Sequence, residues 1–335
     1  MGKVFISDMS LYAKKFKENV PLRGFSNYKI GGPARFFFEP KTEAELRWAV
    51  KTAKAKKLPV FVLGGGTNLL IDDAGWNGLV VRPTFGGITV RGRTMSAGAG
   101  VAMSVLLNLS TKKSLSGFEW AGGLPGFLGG AIRGNAGCFG GEIKDIVASV
   151  RSFDMVTMKT VTRTARECRF GYRTSIFKKK NGREIILSAV FTMKKGDKKK
   201  IARDIKEKID YRKKTQPLEY PNIGSIFKNV ALAVVCKKGG KKYEAAVAGG
   251  ALVFRGSDFS VKNDPFPVIS TAKLIAEAGL RGAVSGGALI SPKHPNFIVN
   301  SAGASSLDVK NLIALVKRRV RAKFGVVLKE EVQII

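Results

Sequence analysis

Apolar residues recur along this chain with two different periods. In residues 42–56, Leu46, Ala49, Val50 and Ala53 fall on one face at helical spacing. Thr42 stands where a helix cap belongs, and Glu45 stands at capping-box spacing from it. The preceding PARFFFEP (33–40) reads as a strand ended by Pro40, and residues 60–63 read as the next strand. Residues 69–71, Leu-Leu-Ile, precede two aspartates and predict another short strand. Between 79 and 97 short strands alternate, followed by a helix over 102–112. Strands are expected at 146–156 and 184–194, then a charged helix over 197–212 with Ile201, Ile205 and Ile209 on one face. After a Pro-containing break at 216–222, a smaller unit is expected. It comprises a hairpin turn at 237–242, a helix over 270–278, strands near 288–290 and 296–299, and a helix over 306–324. At the C-terminus, VVLKEEVQII reads as a strand placing Glu330 and Glu331 on opposite faces, with an end free to fray. The fold class is α+β. A Rossmann sheet is disfavoured, because the glycine turn after 60–63 leads into a strand and not a helix.

Two glycine clusters interrupt this pattern. Gly64, Gly65 and Gly66 with Thr67 and Asn68 follow the apolar run 59–63. Gly126, Gly129, Gly130, Gly134 and Gly137 crowd the segment LPGFLGGAIRGNAG (124–137). Glycine weakens helices and strands, so such density implies either tight packed turns or a backbone that turns sharply and presses against an anionic ligand. Two clusters together suggest a large phosphorylated cofactor.

Composition narrows the chemistry. The 335 residues carry 58 Lys+Arg against 25 Asp+Glu, a net charge of +33, which favours anionic ligands. The basic residues come as short lysine clusters without a zinc-finger, zipper or aromatic RNA-binding signature, so nucleic acid is disfavoured as a partner. Cys138, Cys168 and Cys236 are scattered, which points to a reducing cytoplasm and no CxxC metal site; no metal is expected. The N-terminus lacks a long apolar core, and glycine or charge breaks every long apolar run, so neither a signal peptide nor membrane insertion is expected. With His294 the only histidine, a Ser–His triad is disfavoured.

Four further places carry candidate chemistry. GYRTS (171–175) offers Arg173, a bidentate partner for carboxylate or phosphate. PNIGSIFKN (221–229) offers Ser225 behind a glycine turn, together with Lys228 and Asn229. KHPNF (293–297) offers His294, and the C-terminal segment offers Glu331. Surface charge, turns and structural roles are the plain alternatives for each.

Taken in order, these segments resemble the family of UDP-N-acetylenolpyruvoylglucosamine reductases. The matching pieces are NYKIGGPARFF, VLGGGTNLLIDDAGWNGLVV, GFEWAGGLPGFLGGAIRGNAGCFGGEI, FGYRTSIF, TQPLEYPNIGSIFKN, AGLRG, KHPNFIVN and FGVVLKEEV. The resemblance implies a two-subdomain FAD-binding fold of the vanillyl-alcohol-oxidase type over 1–80 and 81–214, and a substrate-binding domain over 215–335. Its C-terminal strand (326–335) would reach the active site. It implies FAD, held by Gly64, Gly65, Gly66, Thr67, Asn68, Gly123, Leu124, Pro125, Gly126, Gly129, Gly130 and Ala131. It implies NADPH as co-substrate, UDP-N-acetylglucosamine enolpyruvate as substrate, and a cytoplasmic monomer. Arg173, Ser225 and Glu331 would be catalytic; Tyr172, Asn229 and His294 would lie near the substrate. Three departures stand out: Thr67 where the family has Ser, Phe127 where it has Thr, and residues 230–261, read as an insertion. Two other readings remain at this point: another FAD oxidoreductase of the same fold, and a basic binding protein without turnover.

Overall fold

A computed structural model describes residues 16–180, 182–236, 250–254, 257–263 and 266–335. The chain divides into two compact units. One holds the N-terminal residues to Leu22, Gly32–Gly65 and Ala74–Asp210; the other holds Arg23–Gly31, Gly66–Asp73 and Tyr211–Ile335. The chain passes from one to the other within the first glycine cluster, at the Gly65–Gly66 bond.

In the first unit a mixed four-stranded sheet runs in the order Lys17–Pro21, Pro33–Phe38, Trp76–Val81 and Val60–Val62. Pro33–Phe38 and Val60–Val62 both pair in parallel with Trp76–Val81. The helix between them, Glu43–Ala55, is capped by the Thr42 side chain, which accepts from the Glu45 amide, and buries Leu46, Ala49, Val50 and Ala53. The expected box closes one residue early: the Glu45 carboxylate accepts from the Lys41 amide. A five-stranded antiparallel sheet follows, ordered Lys159–Thr164, Val147–Asp154, Glu184–Thr192, Thr94–Gly98, Ile88–Arg91. One apolar core joins the helix to strand residues Leu79, Val81, Phe153, Ile185 and Leu187. A second core gathers the helix Met103–Lys112 and the glycine-rich segment around Met95, Leu106, Phe118, Leu128 and Phe191. Buried charge here is paired. Glu184 receives both terminal nitrogens of Arg163, at 2.5 and 2.9 Å. Asp154 is held by Arg183 at 2.7 Å, and that guanidinium lowers its carboxyl to about 2.

The second unit is built on the helix Ser306–Phe324, closed at its N-terminus by a Ser305/Asp308 capping box and at its C-terminus by left-handed Gly325. Against it pack a three-stranded sheet (Val284–Ser285, Ala288–Ile290, Ile298–Asn300) and a four-stranded antiparallel sheet. The latter is ordered Val230–Ala231, Pro267–Ile269, Ser257–Asn263, Ala251–Phe254. Residues read as an insertion therefore build most of a sheet, and Leu232, Val235, Leu252 and Phe259 bury side chains in the unit's core. The hairpin turn expected at 237–242 lies outside the described residues. Among the described residues no helix is long and apolar enough to cross a membrane.

The C-terminus is tied down and not frayed. Regular strand is confined to Gln333–Ile334, which pairs in parallel with Leu69–Leu70, and Val326, Leu328 and Val332 are buried. Two long-range bonds hold Tyr28 in this unit. Its hydroxyl donates to the Ile298 carbonyl at 2.7 Å, and its own carbonyl accepts from Asn300 Nδ2 at 3.0 Å. Tyr28 is fully buried, and burial raises its phenol far above the ordinary value, so it stays a neutral donor. Tyr28→Phe leaves the packing and removes the hydroxyl bond. Denaturant unfolding is expected to show a loss of about 1–2 kcal/mol.

Candidate functional site

The two glycine clusters meet backbone to backbone. A Cβ on Gly65 would stand 2.8 Å from the Gly126 Cα and 3.4 Å from the Phe127 nitrogen. No side chain fits at that distance. The first cluster reaches this place because Leu63 continues the sheet, its amide donating to Val81 at 2.9 Å, before the glycines turn the chain out. Gly66 has φ +62°, and a Cβ there would lie 2.0 Å from the Phe25 carbonyl oxygen.

The second cluster differs from the sharply turning loop expected. Gly123 and Gly126 do turn, with φ of +72° and +97°. Leu128–Gly134, however, forms a short helix closed by left-handed Asn135. Its first two amides are committed inside the protein: Leu128 donates to Val101 and Gly129 to Ala99, both at 2.9 Å. They are therefore unavailable to a phosphate. Gly129 lies tight on the Ala99 side chain, where a Cβ would stand 3.1 Å from it. Gly64, Gly130 and Gly134 are different: nothing lies within 4 Å of where their Cβ would be, and none has positive φ. Their own fold gives no reason for glycine at these positions. The open space above them fits a bound group that lies against the backbone. On the helix, Gly130, Arg133 and Gly134 share this open face at i, i+3, i+4 spacing, while Leu128, Ala131 and Ile132 are buried. Phe127 carries the Arg82 guanidinium over its ring at 5.3 Å.

Arg173 sits at the corner of a closed turn. Gly171 and Thr174 exchange two backbone hydrogen bonds at 3.0 Å each, with Tyr172 and Arg173 between them. Arg173 has φ +54° at the turn's third position, where glycine or asparagine is favoured. Its guanidinium lies 5.2 Å from the centre of the Tyr172 ring. Positive φ at a non-glycine residue carries a local cost, which the turn's two backbone hydrogen bonds help to offset. Tyr172, Arg173, Gly64, Gly65 and Gly123–Ala131 belong to the first unit.

Gly66, Thr67, Asn68, Ser225, Asn229, His294 and Glu331 belong to the second. There the segment around Ser225 and the segment around Glu331 are paired. Glu331 donates its amide to the Ile226 carbonyl at 2.8 Å, Lys228 donates to Lys329 at 3.0 Å, and Phe227 bridges Glu330. Glu330 forms an ion pair with Lys317 at 2.8 Å. Asn68 Nδ2 donates to the Glu331 carbonyl at 3.2 Å, so the first glycine cluster's last residue also touches this segment. Gly224, with φ +82°, turns the chain into Ser225, and the Asn222 side chain accepts its amide at 3.1 Å.

Sequence reasoning passed over the residue that fixes this arrangement. Asn296, 3% exposed, accepts the Phe227 amide at 3.0 Å and donates to the Phe227 carbonyl at 2.8 Å, while its own carbonyl accepts from Ile226 at 2.8 Å. Its only signal was an asparagine inside KHPNF. Asn229 serves the scaffold, since its Oδ1 accepts the Thr271 amide at 3.2 Å, at the start of the helix Thr271–Glu277. His294 packs its ring edge-on to Phe297 at 4.7 Å, and its Nδ1 is buried without a hydrogen-bond partner. Burial, with Lys262 and Arg281 near, lowers it to about 4.

The chain is similar to known proteins over its whole length. Residues 216–335 match the model of the UDP-N-acetylenolpyruvoylglucosamine reductase C-terminal domain, and residues 34–164 match that of an FAD binding domain. A relative from Caldanaerobacter subterraneus subsp. tengcongensis, a UDP-N-acetylenolpyruvoylglucosamine reductase, is 35% identical, covering 100% of this chain and 99% of its own. One of the same name from Clostridioides difficile is 35% identical over 99% of this chain and 97% of its own. The crystal structure of that reductase from Thermus caldophilus superimposes with a TM-score of 0.72 at 29% identity, covering 95% of this chain and 99% of its own.

The lowered histidine has a signed consequence. His294 is neutral in the folded protein down to about pH 4, whereas in the unfolded chain it takes up a proton near 6.5. Its contribution to stability is therefore complete above about pH 6.5 and is lost as pH falls to about 4. His294→Asn removes this dependence. Chemical unfolding at a series of pH values should show the wild-type minus variant difference shrinking by about 1–3 kcal/mol across that window.

Proposed function

The chain belongs to the UDP-N-acetylenolpyruvoylglucosamine reductase family, and from that premise we propose that it reduces the enolpyruvyl ether of UDP-N-acetylglucosamine to UDP-N-acetylmuramate with NADPH as electron donor. This is a step in making peptidoglycan precursors. The observation that carries the reading is the pairing of the Ser225 and Glu331 segments by backbone hydrogen bonds, in a chain that also holds Arg173 in a left-handed corner.

FAD is the cofactor, and when bound it supplies the chemistry of taking hydride from NADPH and delivering it to the methylene carbon of the substrate's double bond. The open faces of Gly64, Gly130 and Gly134, with Gly65 packed on Gly126, are the surface we assign to it. The turns at Gly123–Gly126 complete that set in the first unit, and Thr67 and Asn68 of the second unit are assigned to the same cofactor. As hydride arrives at one carbon, negative charge develops over the other carbon and its carboxylate. The Arg173 guanidinium stabilises this charge, and being always ionised it needs no proton movement to do so. Ser225 gives its hydroxyl proton to the carbon next to the carboxylate, which completes the addition of one hydride and one proton. Glu331, on the segment paired with that of Ser225, assists the transfer. Tyr172 supports Arg173, and His294, neutral at physiological pH, is assigned to the substrate side. The basic surface draws in two polyanions, NADPH and the UDP-sugar. We assign residues 1–80 and 81–214 to cofactor binding, 215–335 to substrate binding, and the protein's place of work to the cytoplasm, as a monomer.

Stopped-flow half-reactions test the roles. In Ser225→Ala, NADPH should still reduce the flavin at close to the wild-type rate, while reoxidation by the enolpyruvyl sugar should slow by about 100-fold or more. Reoxidation at the wild-type rate would remove Ser225 from the proton transfer. A second substitution tests the cofactor surface. Gly130→Ala fills empty space in a helix, so the apoprotein should gain about 0.5–1 kcal/mol in thermal unfolding. FAD affinity, read by flavin fluorescence quenching, should fall about tenfold or more.

A further inference from the structure

Two fully buried side chains tie the arginine turn to the glycine helix. Asn135, the left-handed residue that ends the helix Leu128–Gly134, donates from Nδ2 to the Gly171 carbonyl at 3.1 Å. In the opposite direction, Ser175 Oγ donates to the Arg133 carbonyl at 2.7 Å, the last turn of the same helix. The two bonds land on residues 171 and 175, one on each side of Tyr172 and Arg173. Both side chains have 0% exposure. Asn135 has no polar atom to spare: Nδ2 also donates to Glu142, and Oδ1 accepts the Lys144 amide at 3.0 Å. Glu142, itself buried, also pairs with Lys144 Nζ at 3.4 Å.

From this we infer that Asn135 and Ser175 are positioning residues that fix the aim of Arg173 by fastening its turn to the helix whose open face is assigned to the flavin. The inference rests on the reading of Arg173 as the group that stabilises the substrate's developing charge. Three features support it. First, the left-handed Arg173 is in a conformation that a non-glycine residue abandons unless its surroundings hold it. Second, the turn's own ring of two backbone bonds fixes its shape but not its position; the two side-chain bonds supply the position. Third, both anchors attach within the last turn of the helix, next to Gly130 and Gly134 on its open face, so the helix backbone is a common reference for flavin and arginine. Displacement of a catalytic group by about 1 Å costs on the order of 100-fold in rate.

The clasp is tested with FAD-loaded enzyme and three single variants. Ser175→Ala deletes one bond. Asn135→Gly keeps the left-handed helix end, which glycine adopts freely, and deletes the other. Arg173→Lys keeps the charge and changes its reach. For each, the reduction of the flavin by NADPH and its reoxidation by the enolpyruvyl sugar are measured separately, together with FAD affinity. The expected result for both clasp variants is FAD affinity and NADPH reduction within about threefold of wild type. Reoxidation should slow by about 10–100-fold, seen mainly in kcat and not in KM. In an Arg173→Lys background, deleting the clasp should slow reoxidation less than about twofold further, because the two act as a unit. Equal slowing of both half-reactions together with weakened FAD binding would overturn the inference, showing a general structural role. Full multiplication of the effects in the double variant would overturn it also. Reoxidation of Arg173→Lys at the wild-type rate would remove the reading of Arg173 on which the inference stands. Should Asn135→Gly fail to fold, Ser175→Ala alone decides, since it removes one hydroxyl from a packed site.

Discussion

The approach of the Gly65 backbone to the Gly126 backbone is the contact on which the first unit's candidate site depends. A single methyl group on Gly65 would stand 2.8 Å from the Gly126 Cα, so neither strand end nor turn could keep its place. The strand Val60–Val62 brings one segment to this point, and the bridge between Ala102 and Phe127 brings the other. Beside this contact, Gly64, Gly130 and Gly134 face open space, with nothing within 4 Å of where a Cβ would stand. Phosphate-binding surfaces built from helix amides depend on free N–H groups. Here the Leu128 and Gly129 amides are already engaged by Val101 and Ala99.

Buried asparagines do the corresponding work on the polar side. Asn135 satisfies Gly171, Glu142 and Lys144 in the first unit. In the second, Asn296 closes both backbone groups of Phe227, and Asn300 joins the Tyr28 carbonyl to the Ala304 amide. An amide side chain can donate and accept at once, so it can replace a strand where irregular backbone must be buried. Of these asparagines, Asn135 and Asn296 fasten the segments carrying Arg173 and Ser225. Rigid placement of irregular backbone is what a site needs when the reacting groups come from loops.

Much of the scaffold was legible in the sequence because it repeats. The helix Ser306–Phe324 and the apolar face of Glu43–Ala55 follow from a 3.6-residue period, and the main antiparallel strands follow from β-branched alternation. The strand Lys17–Pro21 was not legible, because KENVP has no apolar alternation and is exposed along most of its length. The helix Leu128–Gly134 was hidden by Gly129, Gly130 and Gly134. Helix propensity argues against all three, and the packing on Ala99 and Val101 that overrides it is visible only in the fold. The C-terminal segment looked free because its strand partner, Leu69–Leu70, lies far away in sequence. The candidate residues Arg173, Ser225 and Glu331 were legible through the family resemblance. Asn135, Ser175 and Asn296 were not, because what marks them is partners that only the fold brings near.

The most direct test of the account is the visible spectrum of the purified wild-type protein, loaded with FAD under anaerobic conditions. Addition of NADPH should bleach the flavin band, and addition of UDP-N-acetylglucosamine enolpyruvate should restore it in full, with one sugar consumed per flavin reoxidised. A flavin that bleaches and does not return with the sugar would contradict the assigned substrate. A protein that takes up no FAD would contradict the reading of the glycine surface itself.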